Sequence, residues 1–483
     1  MLFNSYVFIF AFLPVVLIGY FALNKAANAN ISKLWLFVCS LFFYSFWNIN
    51  YLPLILLSIF VNFFLSSLLQ EKEKDSTRKL LFYAGIGFNL GLLGFFKYAD
   101  FFLYNVNFIF STDLQYLRFL LPLGISFFTL QQVAYLVDVY EKIASKSKFI
   151  DYALFVSFFP QLIAGPIVHY SEMMPQFESK ENKRFNSNSF SLGIYIFIVG
   201  LFKKVILADT FSEWANFGFA PDADLHFFHA WGTSLSYMFQ LYFDFSGYSD
   251  MAIGLGHMMN IKLPENFNSP FKARNIVDFW SRWHITLTNF ITTYVFTPLV
   301  RIMPKMSFGF MMLSSFLAMT VAGIWHGAGW TFVIYGMWHG AGIVCTHNIK
   351  RKKIKLPYWF SWFVTFNFVN LSFIMFRATE VNHAINMYKG MLGLNGISFP
   401  KGILSIEKIK SMGMEVSHYM TNDENMNLLL IIVGIVICIK SRNSMQIMKD
   451  FEPTPKLAFK ASFMFVLCIF GLNKLSEFIY FNF

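Results

Sequence analysis

Three places in this otherwise apolar sequence hold residues that can move protons. The first, Tyr242-Phe-Asp-Phe-Ser-Gly-Tyr-Ser-Asp250, carries Asp244, Ser246, Ser249 and Asp250 at the end of an aromatic run. The second, Asp278-Phe-Trp-Ser-Arg-Trp-His-Ile-Thr-Leu287, holds Asp278, Arg282 and His284. The third, Gly323-Ile-Trp-His-Gly-Ala-Gly-Trp330, holds His326, and Gly336-Met-Trp-His-Gly340 follows it with His339. Histidine takes and returns a proton near neutral pH, which is what acyl transfer to a hydroxyl requires. His326 lies between an apolar run and a glycine cluster, which allows close backbone approach to whatever its imidazole touches.

Spacing tests what these groups can do together. On one helix Asp244 and Asp250 point about 120° apart, a poor metal pair, and both can instead bond locally at a helix break around Gly247. Asp278 and Arg282 are spaced i, i+4, so an ion pair can hold their helix while Trp283 anchors it at an interface and His284 faces elsewhere. His326 and His339 fall about 220° apart on one continuous helix and would not share a face. From separate helices His284, His326 and His339 can still converge as a metal site, do acid/base work, or serve as satisfied core histidines. There is no G-x-S-x-G, P-loop or G-x-G-x-x-G. Cys39, Cys345, Cys438 and Cys468 are far apart and read as small core residues rather than a disulfide framework, and no metal site is assigned.

The elements that carry these residues must sit in a bilayer. Of 483 residues 56% are hydrophobic and 13% charged, against about 25% charged in a soluble domain. That charge cannot cover a water-soluble particle, so most of the exterior meets lipid. Disorder, a coiled coil and a secreted disulfide scaffold are excluded. The net charge of +11 lies in short runs between apolar stretches, as the positive-inside rule expects, so it reports topology rather than nucleic-acid binding.

About 11–12 spans are expected: within 1–23, then near 34–47, 52–69, 80–96, 119–139, 192–207, 228–245, 308–324, 331–346, 359–376, 428–439 and 457–472. Residues 1–23 lack a basic leader and a cleavage site and read as the first span. Pro160, Gly165 and Pro166 mark 155–168 as a re-entrant or broken helix. Lys25 and Lys33, then Lys72, Lys74, Arg78 and Lys79, then Lys142, Lys146 and Lys148, and the run Lys350 to Lys355 place their loops in the cytoplasm and the N-terminus outside. Residues 377–425 form the longest polar segment, expected as short interfacial helices. No fixed-period repeat is evident, which weighs against an inverted-repeat transporter.

The strings quoted above, together with Pro264-Glu-Asn-Phe-Asn-Ser-Pro270, Leu121-Pro-Leu-Gly-Ile-Ser-Phe-Phe-Thr-Leu130, Tyr135-Leu-Val-Asp-Val-Tyr140 and Phe159-Pro-Gln-Leu-Ile-Ala-Gly-Pro166, resemble the membrane-bound O-acyltransferase family. The likeness runs in order from about residue 95 to 340 and is nearest to the bacterial branch that O-acetylates alginate and peptidoglycan. It implies an all-α polytopic fold, a single membrane domain in which N-terminal helices (1–96) and C-terminal helices (347–483) flank a catalytic core (97–346) ringed around a central tunnel.

The family's characteristic histidine corresponds to His326 and its second polar position to His284. Trp325, Trp283, His339, Asp244 and Ser246 become candidates for the tunnel wall. The resemblance further implies an inner-membrane enzyme with no bound cofactor, using acetyl-CoA as donor, bathed in membrane lipid and handing acetyl to a periplasmic O-acetyltransferase or esterase partner. Peptidoglycan is favoured slightly over an alginate-like polysaccharide as acceptor. Two alternatives remain at this point: transfer of D-alanine or another acyl group from a carrier protein, and transport of a polysaccharide or lipid with the histidines as a proton relay. Where relatives carry a charged pair, the segment Asn289 to Tyr294 has no charge.

Overall fold

In the Leu52–Glu71 helix, Ser58, Asn62 and Ser66 repeat every four residues and are buried, while Phe60 and Phe64 are exposed. Small and polar residues thus share the interior face with Ile55, Ile59 and Leu69, while Leu56, Leu57, Phe60 and Phe64 face outward, a pattern suited to a helix packed within lipid. Pro53 opens this helix at a position where no amide is lost.

The computed structural model describes residues 1–26, 29–72, 74–144, 147–220, 223, 225–302, 307–399, 411, 415–416, 423–473, 476 and 478–479. Regular structure there is helical apart from a two-residue parallel pairing of Ser398–Phe399 with Glu415–Val416. Among the described residues six stretches are long and apolar enough to cross a membrane: Phe8–Ala26, Ile49–Glu71, Asp75–Phe110, Ser187–Gly218, Phe308–His326 and Tyr358–Arg377. The other expected spans fall on helices that are shorter or more polar, such as Ala29–Ser45, Ile125–Tyr140, Phe227–Met258 and Trp330–Arg351. Lys146 and most of residues 400–422 lie outside the described residues; within 377–425 the segment Val381–Met391 is helical.

The contacts divide the chain into two compact units that interleave along the sequence. One comprises 1–202, 247–266 and 447–483, the other 203–246 and 267–446.

In the first unit a polar network joins four helices, Leu52–Glu71, Asp75–Leu93, Ile125–Tyr140 and Phe149–Ser157. Asn62 and Asn89 exchange amide bonds of 3.2 and 2.6 Å, and each donates to the carbonyl four residues back, Ser58 and Gly85. Gln132 donates to the Ser58 hydroxyl at 2.8 Å and accepts from Tyr152 at 3.0 Å. Lys33 and Asp151 form a buried ion pair of 2.7 Å. Arg78, expected as a loop charge, is buried instead: its guanidinium donates to the carbonyls of Leu69 and Tyr140 and so closes the C-terminal ends of two helices.

The expected break is present between Phe149–Ser157 and Phe159–Leu162, with extended backbone at Phe158. Side chains take up the freed backbone groups, since Ser40 Oγ accepts from the Phe159 amide and Gln161 donates to the Phe155 carbonyl.

The helix break expected at Gly247 does not occur, because Phe227–Met258 is continuous over 32 residues. The close packing here depends on the facing glycine: a Cβ placed on Gly200 would lie 2.5 Å from the Gly247 carbonyl oxygen.

In the second unit Phe308–His326 and Trp330–Arg351 run against each other as a hairpin closed by Gly327 to Gly329. A Cβ on Gly323 would stand 2.6 Å from the Gly336 Cα, so only paired glycines allow this approach. His326 and His339 therefore lie on two helices, not one.

Candidate functional site

His284 occupies the turn between two short helices, Ile276–Trp280 and Ile285–Ile291, with φ 44° and ψ 53°. This left-handed conformation is unfavourable for a residue with a side chain and persists only where its surroundings impose it. Those surroundings are a set of polar clamps. Asn275 caps the first helix by accepting from the Asp278 amide, 2.9 Å. Asp278 accepts from Arg282 Nε at 2.7 Å and from the Arg274 amide at 3.1 Å. The Arg282 guanidinium reaches the Asn268 carbonyl, whose own amide returns to the Arg282 carbonyl at 2.8 Å. Thr288 then ties its hydroxyl to the Trp280 carbonyl and its amide to that of His284. The i, i+4 ion pair thus spans the end of a five-residue helix and holds the turn that presents His284.

Trp283 is not an interfacial anchor. It is buried, stacked on Phe279 with ring centres 5.6 Å apart and packed against Phe267 and Phe373. A surface position was expected because tryptophan favours the interface; here the tight turn drives its ring inward.

His326 ends its helix immediately before Gly327. Its ring lies 6.5 Å, centre to centre, from that of His284, and both side chains are buried. Aromatic rings wall the pair: Trp325, Tyr335 and Phe376 stand 5.0, 5.9 and 5.1 Å from His326, and Phe245 and Trp325 stand 4.7 and 6.3 Å from His284. Two imidazoles at this separation can both address one small polar group placed between them, one taking a proton and the other polarising a carbonyl. The aromatic wall excludes bulk water and strengthens such contacts.

His339 is differently placed. The Trp280 indole, which can only donate, gives its proton to His339 Nδ1 at 3.1 Å. The neutral ring must then carry hydrogen on Nε2, 2.9 Å from Ser372 Oγ, and Ser372 passes its own hydrogen to the Val369 carbonyl. Both nitrogens are committed to structure. Tyr335 lies between the two histidine environments, 5.9 Å from His326 and 4.7 Å from His339.

Asp244 is turned to Lys204, which it holds at 2.7 Å, and Lys204 also meets Asp209 at 2.9 Å. Ser246 is buried two residues further along the same helix, and Phe245 between them touches His284. Among the described residues no group of three or more His, Cys, Asp or Glu is arranged to hold a metal.

Sequence reasoning missed Lys204 and Tyr335. Lys204 is a cation inside the apolar run 192–207, which by itself marks it as needing a buried partner. Tyr335 precedes His339 by four residues and so shares its helical face.

Comparison with known proteins gives the family. Residues 5–382 match the model of the membrane-bound O-acyltransferase family. The chain is 44% identical over 518 aligned positions to a peptidoglycan O-acetyltransferase of Helicobacter pylori, covering 100% of this chain and 98% of that one. It is 36% identical to a probable alginate O-acetylase of Pseudomonas putida, covering 81% and 80%. It is 29% identical to a teichoic acid D-alanyltransferase of Bacillus subtilis, covering 54% and 70%. With six membrane-length apolar helices among its described residues, the chain belongs to the membrane-bound O-acyltransferase family and is a multi-pass membrane O-acyltransferase.

Proposed function

We propose that this protein moves acetyl groups from cytoplasmic acetyl-CoA across the inner membrane for O-acetylation of a cell-surface polysaccharide, with peptidoglycan as the favoured acceptor. The observation that carries the chemistry is the buried His284–His326 pair, 6.5 Å apart within one aromatic wall. The preference for peptidoglycan rests on 44% identity across the whole of both chains, against 36% over about four-fifths for the alginate relative.

In this reading His326 takes the proton of the incoming hydroxyl while His284 polarises the thioester carbonyl. The hydroxyl oxygen bonds to the acetyl carbon, the carbon–sulfur bond breaks, and His326 returns the proton to the departing thiolate. The acceptor is either the sugar hydroxyl itself or a serine of a periplasmic O-acetyltransferase partner that carries acetyl onward. The chain binds no cofactor of its own in this scheme.

Base-labile acetate in purified sacculi of a deletion strain complemented with His326→Ala tests the proposal. Acetate should fall to the deletion level while the variant remains abundant in the membrane. Acetate at the wild-type level would overturn it. Loss of D-alanine esters without any change in acetate would instead support acyl transfer of the kind named for the B. subtilis relative.

A further inference from the structure

A second cavity, of about 270 Å³, lies in the second unit away from the histidine pair, beside the basic end of the Trp330–Arg351 helix and against the start of Tyr358–Arg377. Its body is apolar, formed by Ile276, Ile354, Leu356 and Phe368, and its polar wall includes two cations, Arg274 and Lys350. Among the described residues no carboxylate lines it. Arg351, Lys352, Lys353 and Lys355 follow directly in the chain. The Arg274 guanidinium lies 4.0 Å over the exposed Tyr358 ring, which holds it in place without neutralising it.

We propose that this cavity binds the head group of an anionic phospholipid. Two cations whose side chains meet no carboxylate among the described residues, beside an apolar recess between helices, match a phosphodiester joined to acyl chains. The size agrees: pockets that enclose a whole drug-sized ligand run to about 300–1,000 Å³, so this one takes a head group and the first methylenes. The chains have a surface to follow, because Leu356, Phe363 and Val364 are exposed at 44%, 55% and 48%. Adjacent Tyr358 and Trp359, exposed at 57% and 66%, are the residue types that settle at the head-group level.

The site also has a route to the aromatic core. Phe368 lines the cavity and lies 5.7 Å from the His339 ring, and a Cβ on Gly342 would meet the Phe368 ring at 2.6 Å. An occupied cavity therefore braces the wall behind the hydrogen-bonded Trp280–His339–Ser372 chain.

Cys345 provides the readout. It is exposed and lines the cavity, whereas Cys39, Cys438 and Cys468 are buried. The rate of maleimide labelling is measured on the full-length protein in phosphatidylcholine nanodiscs and in nanodiscs with added phosphatidylglycerol, with Cys345→Ser as the background. Phosphatidylglycerol should slow labelling several-fold. Arg274→Gln/Lys350→Gln should raise the fraction needed for half-protection, each cation contributing about a factor of five.

Equal labelling in the two nanodiscs overturns the proposal without recourse to any variant. Undiminished protection in the double variant overturns it too, by tracing the effect to surface charge. Protection by inorganic phosphate or adenosine 3′,5′-bisphosphate in phosphatidylcholine alone would assign the cavity to a soluble phosphate ligand instead. None of these readings depends on acetyl transfer.

Discussion

The Ser58–Asn62–Asn89–Gln132–Tyr152 network and the His284–His326 pair are both sets of buried polar side chains in apolar surroundings, but they are enclosed differently. In the network, amides and hydroxyls face one another at 2.6–3.2 Å and hold four helices together. The histidine pair is enclosed by the rings of Phe245, Trp325, Tyr335 and Phe376, with one histidine on a left-handed turn and the other at a helix end. A buried amide network exists to be complete, because a missing partner costs the full desolvation of the group left behind. A pair walled by apolar rings, with His284 on backbone whose conformation is imposed from outside, has the geometry that the proposed acyl transfer requires. Burial of a polar residue in a membrane protein thus does not by itself separate scaffold from chemistry; the type of enclosure does.

Substitutions can break or sharpen this contrast, and the largest effect is expected at the histidines. His326→Gln should lower acyl transfer by about 10²–10⁴-fold, the usual contribution of a general base, with little loss of folded protein. His339→Gln should change the rate by less than about tenfold while lowering the thermal midpoint, because His339 carries two structural hydrogen bonds. Equal losses of rate at both positions would erase the distinction drawn between them.

Next in size is Lys204→Met, which strands the Asp244 and Asp209 carboxylates and should cost about 3–5 kcal/mol of stability. Thermal unfolding in detergent measures it, and the Lys204→Met/Asp244→Leu double variant should recover part of the loss. Asn89→Leu should cost about 1–3 kcal/mol by the same measurement and leave the rate per folded molecule unchanged. A large drop in that rate would move the amide network from scaffold to function.

Arg282→Gln should have the smallest effect on stability, about 0.2–1 kcal/mol, because the side chains of the pair are 32% and 27% exposed. Its readout is the rate, which should fall if the Asp278 clamp holds the His284 turn.

Much of the site was legible in one dimension. His284 and His326 stand out because ionisable groups are costly within apolar runs, and the Asp278–Arg282 pair follows from helical spacing. The break at Phe158 is foretold by Pro160, which has no amide hydrogen to give the carbonyl four residues back and whose ring clashes with it, so the helix cannot run through. What could not be read is equally specific. Gly247 looks like a breaker, but a single glycine costs only about 1 kcal/mol inside a helix, and Phe227–Met258 runs through it unbroken. Trp283 looks like an anchor, but its depth depends on a turn that only the Asn268–Arg282 and Thr288 contacts create. Arg78 looks like a loop charge, but its partners are carbonyls 9 and 62 residues away.

The sequence by itself determined the environment, the helical class and the few residues able to do proton chemistry, because charge content and apolar run length are properties of the chain alone. Only the tertiary structure decided which histidines meet, which carboxylate holds Lys204, and that His339 is committed to Trp280 and Ser372 while His284 faces His326. Those are distances between residues dozens of positions apart in the chain, set by how helices cross, and no local spacing encodes them.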